Sequence, residues 1–185
     1  SVFFLVPTGR GKVEDEVTPQ EYEDVMNWLY DASKLMSVKT TEGHHYKRIV
    51  IQRTILDELG VDPGPIMGLG ETYERLRADF EGIADFSNAR YAEEDRMRRS
   101  PMHINAGNGF VFISRRGEVF PSGFMPVAGG SVKEESLVDI YRNSALFQDL
   151  RSPDLYEGRC GMCEFRYVCG GSRSRASGVA TELCR

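Results

Sequence analysis

The stretch CGMCEFRYVCGG, residues 160–171, places three cysteines within ten residues, and a fourth follows at Cys184. The spacing is Cys-x2-Cys-x5-Cys-x14-Cys. Two thiolates separated by two residues can bind one metal centre from a single tight turn. The first 159 residues contain no cysteine, whereas small secreted domains spread their cysteines along the chain as cross-links. The distribution therefore predicts a local metal site, formed by Cys160, Cys163, Cys169 and Cys184, in a reducing compartment such as the cytoplasm.

Three kinds of chemistry fit four thiols at this spacing. Structural zinc sites usually combine two short Cys-x2-Cys pairs, and the x5 spacing with a distant fourth cysteine suits zinc less well. A 4Fe–4S cluster spreads its four ligands over a larger body and tolerates uneven spacing. Glycines at 161, 170 and 171 would let the backbone approach the inorganic sulfides. The spacing favours an iron–sulfur cluster, with zinc and unligated or disulfide-bonded cysteines as the alternatives.

The composition limits the classes of partner. A chain of 185 residues with 41% hydrophobic content can form one core or two small modules. The net charge is −5 and no basic tract is present, which argues against nucleic-acid binding. The sequence contains no long apolar run, no basic amphipathic helix and no signal peptide, so no membrane partner is expected.

The N-terminal part alternates between strand and helix patterns. SVFFLVPTGRG (residues 1–11) is typical of a buried parallel strand followed by a glycine-rich turn. Thr18, Pro19 and Glu21 then predict a capped helix with a regular apolar stripe. SVKTTE (37–42) predicts a second strand and HHYKRIVIQRTILDEL (44–59) a second helix. This order indicates the end of a β/α layered or barrel-like domain.

The pattern changes after residue 60. Residues 60–70 form a Gly/Pro-rich break, and residues 71–86 predict a helix. GFVFISRRGEVFPSG (109–123) predicts a β-hairpin around Gly117. SLVDIYRNSALFQDLR (136–151) predicts one helix that begins at Ser136.

The C-terminal part resembles the SPASM domain, the auxiliary-cluster domain of many radical S-adenosylmethionine (SAM) enzymes. The resemblance lies in residues 104–123, residues 129–144, the cysteine stretch and the late cysteine. It implies that Cys160, Cys163, Cys169 and Cys184 ligate one auxiliary 4Fe–4S cluster. The family's second auxiliary cluster requires cysteines where this sequence has Ile104, Ser122 and Arg173. The resemblance therefore implies a single auxiliary cluster.

The N-terminal part resembles the closing strands and helices of the partial TIM-type barrel in the same enzymes. SVFFLVPTGRG and VKTTEGHHYKR are similar to relatives that modify haem-type tetrapyrroles and, less closely, to relatives that modify peptides. The implied fold class is α/β (α+β), with the barrel's end in residues 1–60 and a linker or insertion with a helix in 61–100. A SPASM-like domain, with a β-hairpin and cysteine-rich helical loops, follows in residues 101–185.

The resemblance also sets the expected partners. Substrate would be a tetrapyrrole or a peptide, and a low-potential donor such as ferredoxin or flavodoxin would supply electrons. The family's catalytic Cys-x3-Cys-x2-Cys motif is absent from this sequence. SAM and a second 4Fe–4S cluster, the catalytic one held by that motif, are therefore expected only in an intact enzyme of which this chain is the C-terminal part. No catalytic residue is assigned. The alternative from another class is a non-catalytic zinc-binding interaction module.

Further candidate residues lie near the predicted strand ends. His44 and His45 follow the second strand, and loops at the carboxyl ends of barrel strands face the active site. Either histidine could bind substrate, transfer a proton or ligate a tetrapyrrole iron, or it could face solvent at a helix start. Gly9 and Gly11 belong to the turn that the resemblance places near SAM or substrate.

Two arginines and two apolar residues are expected to surround the cysteine site. Arg173 and Arg175 follow the cysteines and could offset the negative charge of a thiolate-ligated cluster, raising its reduction potential. The alternative is a solvated basic helix turn. Met162 and Phe165 are expected to shield the cluster from water.

Overall fold

The computed structural model describes residues 1–4, 12–82 and 104–179. These residues form two compact units. The first unit contains residues 1–3, 16–41 and 46–82, and the second contains residues 4, 12–15, 42–45 and 104–179. Among the described residues, we find no helix that could serve as a membrane-spanning segment.

The first unit combines a short parallel strand pair with four helices. Strand β1 (Val2–Phe3) pairs with β2 (Thr40–Thr41), and Val2 lies opposite Thr40. The helices are α1 (Pro19–Ser33), α2 (Tyr46–Leu59), α3 (Pro63–Met67) and α4 (Glu71–Glu81). Helix α1 packs against both α2 and α4.

The start of α1 confirms the predicted capping box. The Thr18 hydroxyl accepts the backbone N–H of Glu21 at 3.3 Å, and the Glu21 carboxylate accepts the backbone N–H of Thr18 at 2.8 Å. Pro19 occupies the first turn, where a missing N–H leaves no intrahelical bond unmade. The apolar stripe of α1 is buried, with Met26 fully enclosed. The local sequence therefore correctly predicts where this helix begins and which of its sides is apolar.

Helix α4 begins in a way that the local sequence does not reveal. Its N-cap residue, Gly70, has no side chain to accept a backbone N–H. Asp24 of α1 does so instead, and its buried carboxylate accepts the N–H groups of Gly70 at 2.9 Å and Tyr73 at 3.3 Å. A Cβ atom on residue 70 would lie 2.7 Å from Asp24 Oδ2, so a larger residue would have to displace the carboxylate that caps this helix.

A buried charge network joins α1, α2 and α4. Arg53, 3% exposed, donates to Asp31 Oδ1 at 2.6 Å and to Asn27 Oδ1 at 3.2 Å. The Tyr73 hydroxyl donates to the other oxygen of Asp31 at 2.7 Å. Burial raises the pKa of Tyr73 to about 12, and the hydrogen bond to the negatively charged Asp31 contributes in the same direction.

We expect the stability of the first unit to fall at high pH because of Tyr73. Its folded pKa of about 12 exceeds the ordinary value of 10.0, so the stabilising effect of the neutral phenol is complete below about pH 10 and is lost as the pH rises through about 12. Urea midpoints between about pH 9 and about pH 12, followed by the fluorescence of Trp28, measure this loss. Tyr73→Phe should show a flatter pH dependence, and an unchanged slope would contradict the assignment.

The second unit contains a three-stranded antiparallel sheet. The strands are β3 (Phe112–Ile113), β4 (Glu118–Phe120) and β5 (Gly130–Ser131), in the order β3-β4-β5. The pairing of Phe112 with Phe120 confirms the predicted hairpin, and Gly117 adopts a φ of +90° in its turn. Strand β5 was not expected from the sequence.

Five short helices follow the sheet. They are α5 (Leu137–Asn143), α6 (Ala145–Leu150), α7 (Gly158–Met162), α8 (Arg166–Cys169) and α9 (Arg173–Val179). The prediction of one helix over residues 136–151 is wrong, because Ser144 has extended backbone and ends one helix as it begins the next. The break lets Ile140 and Phe147 pack together with Val119 in the core.

Candidate metal centre

The three described cysteines lie on the short helices after the sheet. Cys160 belongs to α7, Cys163 follows that helix, and Cys169 is the last residue of α8. Each is half-buried and none forms a disulfide. Cys184, the fourth predicted ligand, lies outside the described residues. Within the described ranges, no group of three or more His, Cys, Asp or Glu side chains is arranged to hold a metal ion.

Tyr156 lies in the same region, and the charges of two of the cysteines affect its pKa. Its hydroxyl is buried and donates to the backbone oxygen of Leu150 at 3.0 Å. Burial raises the pKa of Tyr156, Arg173 opposes this, and the charges of Cys160 and Cys169 raise it further. The guanidinium carbon of Arg173 lies 4.2 Å from the centre of the Tyr156 ring, so this phenol adjoins the arginine that contacts Cys160.

Gly161 lets the turn between Cys160 and Cys163 pack against the preceding part of the chain. A Cβ atom there would overlap the backbone oxygen of Tyr156. Backbone atoms cannot rotate away as a side-chain tip can, so a larger residue must displace the turn between Cys160 and Cys163.

We predict that Gly161→Ala lowers metal occupancy and destabilises the second unit by about 1–3 kcal/mol, the usual cost of overpacking. Metal content per chain and urea denaturation monitored by far-UV circular dichroism measure the two effects. Glu164→Ala, an exposed position in the same turn, is the control and should match wild type. Full occupancy and stability in Gly161→Ala would contradict the packing argument.

Residues 170–174, which follow Cys169, are held by side chains distant in sequence. Asn105 Nδ2 donates to the Gly171 oxygen at 2.7 Å. The hydroxyls of Ser122 and Ser174 lie 2.7 Å apart, and both residues are buried. Because polar groups without water must find partners inside the protein, these bonds fix the path of the chain beside the cysteines.

Glu42 is a site residue that sequence reasoning missed. Its carboxylate accepts the hydroxyl of Ser172 at 2.6 Å, although 130 positions separate the two residues. Glu42 is 7% exposed and has a φ of +59°, a conformation that residues with side chains rarely adopt. Such strain persists only where the surroundings enforce it. The sequence placed Glu42 at the end of the predicted strand over residues 37–42, whereas strand β2 ends at Thr41.

The predicted histidines belong to the same short loop as Glu42. His44 and His45 are half-buried, and residues 42–45 form part of the second unit together with the cysteine helices. The structure thus places both histidines in the unit that carries the cysteines, and their role in binding stays a prediction. Gly9 and Gly11 lie outside the described residues.

The residues around the cysteines differ in exposure. Arg173 is only 4% exposed, so the alternative of a solvated helix turn is wrong for it. Its guanidinium donates from Nη2 to Cys160 Sγ at 3.4 Å. Arg175 and Phe165 are half-buried. The expected shielding by Met162 is wrong, because this side chain is 82% exposed.

The chemistry of the donor set suits a thiolate-ligated cluster, although the described side chains by themselves are not arranged around a single metal ion. Thiolates bind iron–sulfur clusters and soft metal ions. A buried guanidinium within hydrogen-bonding distance of a cysteine sulfur compensates negative charge on that sulfur. Close backbone packing at Gly161 and the bonds that hold residues 170–174 place the cysteine turns in a defined environment.

Comparison with known proteins finds relatives that share one name. The chain is 36% identical over 177 residues to the AdoMet-dependent heme synthase of Methanosarcina barkeri. It is 36% identical over 178 residues to the AdoMet-dependent heme synthase of Oleidesulfovibrio alaskensis and 35% identical over 179 residues to that of Nitratidesulfovibrio vulgaris. No protein-family model and no solved structure matches the chain.

The matched region spans almost all of this chain but less than half of each relative. It covers 94–95% of the chain and 38–42% of the relatives' lengths. The chain therefore spans about two fifths of the length of the curated proteins that it matches.

Proposed function

We propose that this chain is the auxiliary-cluster region of a radical SAM enzyme that modifies a tetrapyrrole. The observation that carries the proposal is the identity of about 36% to proteins named AdoMet-dependent heme synthase, extending over 95% of a chain that ends in a four-cysteine set. In this proposal residues 1–60 close a partial TIM-type barrel and residues 101–185 form the SPASM-like domain. The enzyme would act in the cytoplasm.

Cys160, Cys163, Cys169 and Cys184 would hold one auxiliary 4Fe–4S cluster. When bound, such a cluster can accept or donate one electron. The residues at two positions of the family's second cluster have other partners here: Ser122 bonds to Ser174, and Arg173 bonds to Cys160. These bonds favour a single auxiliary cluster. Ferredoxin or flavodoxin would supply electrons, and SAM would bind only with the catalytic cluster.

The substrate class follows from the names of the relatives and from the loop at residues 42–45. A tetrapyrrole offers carboxylates and, when metallated, an iron that accepts an imidazole nitrogen. His44 and His45 provide imidazoles in the second unit, and the bond from Glu42 to Ser172 ties their loop to the residues after Cys169. A tetrapyrrole is therefore favoured over a peptide.

Titration of the anaerobic full chain with haem tests the substrate class. We expect saturable binding at one haem per chain, seen as a shift of the Soret band. The double variant His44→Ala/His45→Ala should bind about tenfold more weakly, which corresponds to about 1.4 kcal/mol. His103→Ala removes the third histidine of the sequence and is the matched control.

The outcomes separate the parts of the proposal. Absence of saturable haem binding by wild type would overturn the tetrapyrrole assignment. Equal binding by the double variant and the control would overturn the role of the histidine loop alone.

A further inference from the structure

Arg173 is placed where a charged side chain would normally not be. It is the first residue of α9 and is 4% exposed. Removing a guanidinium from water is unfavourable unless hydrogen bonds and opposite charge compensate it. The groups that surround the buried charge of Arg173 therefore indicate its role.

The guanidinium of Arg173 contacts both Cys160 and Tyr156. Nη2 donates to Cys160 Sγ at 3.4 Å. The central carbon of the guanidinium lies 4.2 Å from the centre of the Tyr156 ring, within the range of a cation–π interaction. The hydrogen bond directs one N–H of the guanidinium at the sulfur. A thiol is a weak acceptor, whereas a thiolate makes a strong, charge-assisted bond.

The backbone is shaped to admit this arginine. Gly171 has a φ of +63°, and a Cβ atom there would overlap Nη2 of Arg173. The same residue is fixed by the bond from Asn105 to its carbonyl oxygen, and the next helical residue, Ser174, is fully buried against Ser122. The backbone on either side of Arg173 is thus held by hydrogen bonds.

A fixed positive charge on a ligand sulfur affects the two redox states of a cluster unequally. A 4Fe–4S cluster with four thiolates is already anionic, and one-electron reduction adds a further negative charge. A hydrogen bond and a cation at the sulfur stabilise the more negative state to a larger extent, which raises the reduction potential. Burial strengthens the effect, because little water screens the charge.

We propose that Arg173 is a positioning residue that raises the reduction potential of the group bound by the four cysteines, through its hydrogen bond to Cys160, and that Gly171 provides the space this requires. The inference rests on the proposed function, since it requires a redox-active cluster. It adds that the reduction potential is set next to Cys160. The side chain that sets it, Arg173, lies six residues before the last described residue.

Redox titration of the anaerobic full chain, followed by the EPR signal of the reduced cluster, tests the inference. We expect Arg173→Met to lower the equilibrium constant for reduction about tenfold, which is about 59 mV for a one-electron couple. Arg173→Lys keeps the charge but not the planar, directed donors, so it should lie between Arg173→Met and wild type. Arg159→Met is the control, because Arg159 adjoins Cys160 in sequence but is exposed; it should stay within about twofold of wild type.

Each result supports or overturns one statement. If wild type carries no iron and sulfide, the proposed function fails before any titration. If the cluster is present and Arg173→Met retains the wild-type potential, the role of Arg173 is wrong while the cluster assignment stands. If Arg173→Met does not retain iron, the reduction potential of Arg173→Lys is measured instead. If the cluster in Arg173→Lys has the same potential as in wild type, the inference is overturned.

Discussion

Replacing Cys163 by alanine is expected to reduce the iron content of the chain from about four atoms to nearly none. Cys163 lies in the turn between α7 and α8, and its carbonyl oxygen accepts the N–H of Arg166 at 3.1 Å. Because metal binding contributes folding free energy, the loss should also destabilise the cysteine helices. Amide hydrogen exchange in residues 156–179 should accelerate at least about tenfold, whereas the fluorescence of Trp28 should report an unchanged first unit.

Met162→Ala is the matched control for this substitution. Met162 adjoins Cys163 and is 82% exposed, so its truncation removes little packing. It should retain full iron content and wild-type exchange rates. Retention of full iron by Cys163→Ala would show that the ligand assignment is wrong.

Replacing Asp31 by alanine is expected to destabilise the first unit by about 3 kcal/mol, the cost of leaving a buried charge without its partner. Arg53 is 3% exposed and donates to Asp31 at 2.6 Å, and Tyr73 donates to the same carboxylate. Trp28 is the single tryptophan of the sequence and lies in the first unit. Urea denaturation followed by its fluorescence therefore reports this unit specifically.

Glu81→Ala removes an acidic partner from an exposed pair and is the control for Asp31→Ala. Arg77 and Glu81 lie 2.9 Å apart, with more than half of each side chain exposed. Such pairs contribute about 0.3–0.5 kcal/mol, because water screens both charges. If the two variants lost the same stability, the buried network would not hold the helices together as described.

Features encoded by neighbouring residues could be predicted from the sequence. The helix that begins after Thr18 and the hairpin around Gly117 both form as expected, since a capping box and a glycine turn depend on side chains a few positions apart. The partial barrel and the SPASM-like domain stay predictions.

Features that depend on distant residues could not be predicted in this way. The carboxylate that caps α4 comes from Asp24, 46 positions before Gly70. The break at Ser144 follows from packing of Ile140 and Phe147 around Val119 rather than from a strong helix-breaking residue. No local pattern contains this information, because each contact forms only when the helices are packed.

The candidate site shows the same division. Its cysteines and the arginine after them stand together in the sequence, but the side chains that fix residues 170–174 come from Glu42, Asn105 and Ser122. The strained backbone of Glu42 has no signature in composition or periodicity. The four cysteine ligands stay a prediction, whereas the hydrogen bonds that hold residues 170–174 could only be seen in the structure.

The iron and acid-labile sulfide content of the anaerobically purified full chain tests the central claim most directly. We predict a brown protein with broad absorption near about 400 nm and about four irons and four sulfides per chain. A colourless protein with one tightly bound zinc ion per chain would contradict the cluster assignment and would favour a zinc-binding interaction module.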